Sequence, residues 1–424
     1  MQNYCLNILE FAAYSLESSD WTAAFEEAVK VLENRGGGTI FVPAGVYPTG
    51  SIQLKSHMTL FVDNGAILDF KDYYENYPLV EVEFEGAVGK MYRPLIFAVD
   101  AEQVAVLGNG CLNGNGQRAW REMNSLPCKR PYLICFQNCI NVRVEQVTLI
   151  NSPVWTIHPL HCDNVIIHGV TIKNPPDSPN TDGINPNGCN QVRISDCFID
   201  VGDDCIAIKA GTELTPKKRA CENITITNCN MIHGHGGIVI GSEMSGSIRN
   251  VTVSNCVFQN TDRGIRLKTR RKRGGAIERL NFNNIIMDKV LCPFAFNMYY
   301  FCGAGGEERH VWEKTPYEVD EGTPAIRDLL ISNIIATEVS AAAGFMYGLA
   351  EQFIENVTFS NCRIDMAIDG EAGMPDMLAH QEPMKGAGFF LRNARNIVFQ
   401  NVSITKVVGK IIDMDDSVEL KIQD

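Results

Sequence analysis

The sequence predicts an all-β chain, a parallel β-helix whose first coil is covered by an amphipathic helix. Three observations predict it. A short unit recurs along the chain at the spacing of a solenoid repeat; each unit opens with period-two alternation; and stacking the units aligns two columns of like side chains. Units begin at Asn141, Asn164, Gln191, Asn223, Asn250, Arg279, Asp328, Asn356 and Asn396, with two wider gaps, after Arg279 and after Asn356. Openings such as NVRV, NVII and NVTV alternate apolar and polar residues, the mark of a half-buried strand. A leucine-rich horseshoe needs a leucine consensus that is missing, and four propeller strands do not fit between one start and the next.

At 424 residues the chain exceeds the usual single globule, but a solenoid escapes that limit because each coil adds its own slice of core. One domain, 1–424, is therefore expected. Within it, residues 1–38 form an N-terminal segment and capping helix, 39–410 the coils with loop insertions, and 411–424 a C-terminal tail. The segment DWTAAFEEAVKVLENRGGG carries an N-cap at Asp20, apolar residues at helical spacing and Gly36 to Gly38 as terminator. Inserts at 70–95, 114–131, 299–326 and 366–386 are expected to lie over one face and shape a cleft. The first column holds Asn228, Asn255, Asn284, Asn333, Asn361 and Asn401, whose amides can hydrogen-bond coil to coil. Next to it, Cys197, Cys229, Cys256 and Cys362 share a column with Val and Ile, so these four cysteines read as small core residues. The start, MQNYCLNILEF, lacks a positive n-region and carries Glu10, which reads as a cytoplasmic address. No run of some 18 apolar residues is present to cross a membrane.

Chemistry concentrates on four neighbouring units. Counted from their unit starts, Asp182 is residue +18, Asp204 +13, His235 +12 and Arg266 +16, so one stripe of the circumference should carry them all. Alternation in RGIRLKT sends Ile265 and Leu267 inward and projects Arg266 and Lys268 together. Asp203 and Asp204 are strand neighbours and can face one way only at a bend, which Gly202 permits. Clustered carboxyls keep one member protonated and suit the acid and base of glycoside hydrolysis; Arg266 and Lys268 suit a uronate carboxylate, Arg266 in bidentate fashion. Basic side chains dominate the run RGIRLKTRRKR, from Arg263 to Arg273, yet the net charge of −13 argues against nucleic acid as the partner. Arg270, Arg271, Lys272 and Arg273 read as a solvated loop at the cleft rim. His235, between glycines, is open to a turn role as well, and Trp155, His158 and His161 to either sugar binding or packing.

At N180-T-D182, G202-D-D204, G234-H-G236 and R266-L-K268 the chain resembles the polygalacturonase family of glycoside hydrolases, family 28, and more specifically its bacterial exo-acting members. The likeness extends from G38-TIFVPAGVYPTG through G108-NGCLNGNG to the last coils; the chain departs from the family at Leu267 and Asn113. It implies a right-handed parallel β-helix and inverting hydrolysis without metal or cofactor. By the resemblance Asp203 is the general acid, Asp182 and Asp204 activate water, and His235 tunes the acid. Arg266 and Lys268 bind a galacturonate carboxylate, Asn180 belongs to the same motif, and Tyr300, or its neighbour Tyr299, is the active-site tyrosine. The implied partner is a galacturonate-containing oligosaccharide, attacked from a chain end. Competing expectations are a rhamnogalacturonan hydrolase, a calcium-dependent lyase and a non-catalytic polysaccharide-binding β-helix.

Overall fold

The computed structural model describes residues 4–15 and 19–423. It divides into two compact units, Met1–Phe84 with Val88–Asp203 and Glu85–Ala87 with Asp204–Asp424. Each is built as a stack of parallel strands. In the first unit, Gly38–Val42, Met58–Val62, Glu102–Gly108, Ile140–Glu145, Asp163–His168 and Asn190–Ser195 pair in series. A second ladder runs through Gly45–Thr49, Ala66–Phe70, Cys111–Asn113, Thr148–Ile150, Thr171–Lys173 and Phe198–Val201. A third joins Ile52–Gln53, Ile96–Val99, Ile134–Gln137 and Ile157–Leu160. The second unit stacks Cys221–Thr227, Ile248–Gln259, Ala276–Asp288, Ala325–Val339, Ile354–Met366, Ala394–Thr405 and Val418–Gln423. Its other ladder holds Asp204–Ile208, Gly236–Gly241, Arg263–Lys268, Cys292–Asn297, Ala342–Tyr347, Ala387–Arg392 and Ile412–Met414.

Register explains the alternation. Val104, Val142, Val165 and Val192 face one another in successive coils, each at most 1% exposed. In the second unit Cys256, Ile285, Ile334 and Cys362 do the same, and these thiols are free and buried. Each such apolar side chain contributes about 1.5–3 kcal/mol through burial. The Asn column makes its ladder, with Asn284 donating to Asn255 at 2.7 Å and Asn401 to Asn361 at 2.9 Å. Asn333 instead donates to Asn283 at 2.8 Å. These asparagines also sit at φ between 51° and 57°, a left-handed conformation that Asn tolerates better than most residues. The turn therefore selects Asn, and the ladder follows.

Both ends depart from expectation. The helix spans Thr22–Asn34, with Trp21 rather than Asp20 at the N-cap; the Asp20 carboxylate still accepts the Thr22 amide at 3.0 Å and its hydroxyl at 2.6 Å. It buries Ala24, Phe25, Ala28, Val29 and Leu32 and ends where the Gly37 amide returns to the Leu32 carbonyl. A side chain at Gly37 would bring a Cβ within 2.5 Å of the His57 carbonyl oxygen. Strand Cys5–Asn7 pairs directly with Gly38–Val42, because a parallel edge needs backbone partners that a helix cannot offer. At the other end, strands Ile412–Met414 and Val418–Gln423 continue both ladders, so the expected tail is, over 412–423, a further coil. No described helix is long and apolar enough to cross a membrane.

The basic run is the larger correction. Arg270, Arg271 and Arg273 are buried, and only Lys272 of these four is exposed. Arg271 pairs with both Glu351 oxygens, at 2.5 and 2.8 Å, and donates to the carbonyls of His310, Glu313 and Thr315. Arg270 donates to the carbonyls of Cys302 and Ala304, and Arg273 pairs with Glu213. A planar guanidinium can satisfy several carbonyls of an irregular segment at once, and here it fastens the insert 299–326. Arg271→Ala, which strands Glu351 without its buried partner, is expected to lower stability by about 3–5 kcal/mol, measured as a shift in the urea midpoint.

Candidate active site

The Asn180 and Asp203 turns of the first unit are set by backbone constraints. Strand Phe198–Val201 ends in a bend at Gly202, whose absent Cβ would lie 2.3 Å from the Ser178 carbonyl oxygen. That close approach requires glycine and puts Asp203 in the bend, partly exposed. Asn180 adopts φ 56°, and its Oδ1 accepts a hydrogen bond from Arg130 at 2.6 Å. Arg130 also donates to the carbonyls of Pro153 and Pro179. With its oxygen so held, Asn180 turns its amide nitrogen to Asp203 at 3.5 Å. Asp182 is 3% exposed and accepts the Asn185 amide at 2.9 Å. Carboxylate oxygens of Asp182 and Asp203 lie within 4.8 Å of each other.

In the second unit, alternation alone would send Asp204 inward with Ile206 and Ile208. The bend turns it outward, and Asp204 Oδ2 accepts from Lys268 Nζ at 2.8 Å while Arg266 Nη1 lies 3.5 Å from Oδ1. Arg266 and Lys268 do share a face, in register with Val239 and Gly241 of the preceding strand. Burial opposes a charge on Asp204, but Lys268, Arg266 and Lys209 together hold its carboxyl far below the ordinary carboxylate range. Lys209 is itself paired with Glu243 at 3.3 Å.

Tyr300, not Tyr299, joins this group. Its ring lies 5.1 Å from Lys268 Nζ and 5.5 Å from the Arg266 guanidinium, and burial pushes its hydroxyl well above the usual range. Tyr299 points to Lys314 and packs edge-on against Tyr347 at 5.1 Å. His235 is exposed at the bend before strand Gly236–Gly241, whose Gly236 is in register with Asp204. Arg266 differs most from expectation. It is 1% exposed, and the two-nitrogen edge suited to a uronate is taken by Asp376, at 3.0 Å from Nε and 2.6 Å from Nη2. Trp155 and His158 pack, with Tyr132 stacked 5.4 Å from Trp155 and His158 bonded through Nδ1 to the Asn185 carbonyl. Sequence reasoning missed Arg130 and Asp376. Both lie in inserts flagged as cleft-shaping, which was the only signal they gave.

A close carboxylate pair and a buried carboxylate held by two cations, carried on parallel coils, are groups of the kind that acid–base chemistry on a solenoid scaffold uses. Comparison with known proteins sharpens this. Glycosyl hydrolases family 28 matches residues 38–374. A probable polygalacturonase of Vitis vinifera is 32% identical over 364 residues, covering 82% of this chain and 71% of that protein. The crystal structure of a hyperthermoactive exopolygalacturonase from Thermotoga maritima is 30% identical and superposes with a TM-score of 0.79 over 95% of this chain and 92% of its own. A family 28 exopolygalacturonase of Yersinia enterocolitica shares the fold, with a TM-score of 0.80 at 19% identity, covering 100% of this chain and 79% of that one. The chain belongs to glycosyl hydrolases family 28; it is a glycoside hydrolase with the right-handed parallel β-helix fold.

Proposed function

We propose that the enzyme hydrolyses α-1,4 bonds between galacturonate residues of pectic oligo- and polysaccharides, acting from a chain end with inversion. The observation that carries the reading is Asp204, kept ionised by Lys268 and Arg266, with the Asp182–Asp203 pair beginning one peptide bond away in sequence. Asp203, the partly exposed carboxyl, protonates the glycosidic oxygen. Asp182 and Asp204 take the proton of the attacking water. Asp204 accepts one of the three donors of Lys268, which leaves that ammonium able to meet a uronate carboxylate as well. Action at a chain end is supported by the insert 366–386, which is fastened against the rung of Arg266 and bridges Tyr300 through Leu378.

The stereochemical outcome follows from the carboxylates. Inverting pairs usually stand about 6.5–9.5 Å apart and retaining pairs about 5–5.5 Å. The Asp182–Asp203 oxygens approach within 4.8 Å. Inversion is favoured because a nucleophile must leave its cations to form an ester, whereas Asp204 is tied to two of them. Proton NMR of a defined oligogalacturonide during hydrolysis is expected to show the β-anomer first; an α-anomer at the outset makes the enzyme retaining. In the same digest a single small product should accumulate from the first time point. An early mixture of lengths rejects chain-end action.

A further inference from the structure

We propose that Asp376, in the insert 366–386, is a positioning residue for hydrolysis: it holds the Arg266 guanidinium by one edge so that the remaining nitrogen addresses Asp204. The inference rests on the reading of Asp204 as a water-activating base.

Asp376 is fully buried, and one of its oxygens does all the bonding. Oδ1 accepts Arg266 Nε at 3.0 Å, Arg266 Nη2 at 2.6 Å and the Met377 amide at 2.8 Å. Oδ2 is buried without a hydrogen-bond partner. Burying a carboxylate with an oxygen unsatisfied is costly, so its place calls for a return elsewhere. Retaining the insert is not that return. Arg263 already binds the carbonyls of Met374 and Pro375, at 2.8 and 3.0 Å, Asn297 binds that of Met377 at 3.1 Å, and Tyr300 bridges Leu378. What Asp376 adds is control of Arg266.

A guanidinium is flat, so fixing two nitrogens on one acceptor also fixes the third. Arg266 Nη1 is thereby aimed at Asp204 Oδ1, 3.5 Å away, over the intervening strand Gly236–Gly241. Lys268 and Lys209 also act on Asp204; Tyr300 faces the two cations of the rung, and Glu243 faces Lys209. Among these groups Arg266 is the one whose direction depends on Asp376. Because Oδ1 alone is used, an amide with its carbonyl in the same place should serve nearly as well as the carboxylate.

The test compares wild-type, Asp376→Ala and Asp376→Asn enzymes on a defined trigalacturonide, with kcat, KM, the pH profile and thermal unfolding measured for each. Asp376→Ala should lose kcat by about 10²-fold, the scale of a misplaced catalytic group, with KM little changed. Its acidic limb should move to higher pH, because Arg266, no longer held by its edge, stops directing its charge at Asp204 Oδ1. Asp376→Asn should recover most of kcat and the original limb. A folded Asp376→Ala enzyme with wild-type kcat and limb overturns the inference, as does an Asp376→Asn enzyme impaired as deeply as Asp376→Ala. Either result, obtained beside an active wild type, leaves the substrate reading standing. A wild type inert on the trigalacturonide sinks both.

Discussion

Asp203→Asn enzyme is expected to bind oligogalacturonide and to cleave it about 10⁴-fold more slowly, the upper end for removal of a general acid. A sugar hydroxylate is a poor leaving group, so without proton donation little of the rate survives. Asn preserves the side-chain volume in the Gly202 bend and can turn its one carbonyl oxygen to the Asn180 amide, which lies 3.5 Å from Asp203 Oδ2. The fold is therefore expected to be unaffected, and calorimetric titration should give an affinity near that of wild type. The pair of measurements separates enzyme from binder. Full turnover in the variant would strip Asp203 of the acid's role, and loss of binding along with turnover would make it a ligand of the sugar.

The second large effect is expected from Lys268→Met, which keeps the length of the stem and removes the charge. Lys268 supplies the shortest contact to Asp204, 2.8 Å, and the largest charge effect opposing the burial of its carboxyl. In its absence burial raises the Asp204 pKa, so the base is lost as the pH falls through a higher value. The acidic limb of kcat/KM should move up in pH accordingly. At neutral pH a loss of about 10²-fold in kcat/KM is expected, the worth of one buried charge-assisted hydrogen bond of about 3 kcal/mol. A profile that keeps its acidic limb while KM alone rises would assign Lys268 to the substrate carboxylate and free it of any role toward Asp204.

The motifs around Asp182, Asp203, Asp204, Arg266 and Lys268 were legible because a solenoid converts sequence spacing into position. Residues at similar distances from their unit starts come to similar points on the coil, and alternation then decides which side they face. The same logic gave the inward columns of Val, Ile and Cys. At Asp204 alternation alone does not suffice: strand parity points it inward with Ile206, and the bend that Gly202 permits turns it to Lys268. The reading failed at Arg270 and Arg271. A basic run looks solvated in sequence, but carbonyls at 302–315 and the Glu351 carboxylate bury it.

The parallel coils, the core columns, the faces of Arg266 and Lys268 and the family could all be read from the order of residues, because each depends on repetition that is local. Folding in three dimensions was needed to choose Tyr300 over Tyr299 beside the cations and to bring Arg130 to Asn180. It was needed as well to carry Asp376, 110 residues from Arg266, to the edge expected to hold a uronate. Those choices belong to the inserts. An insert has no period, and its side chains find their partners only after the coils have fixed where its two ends begin.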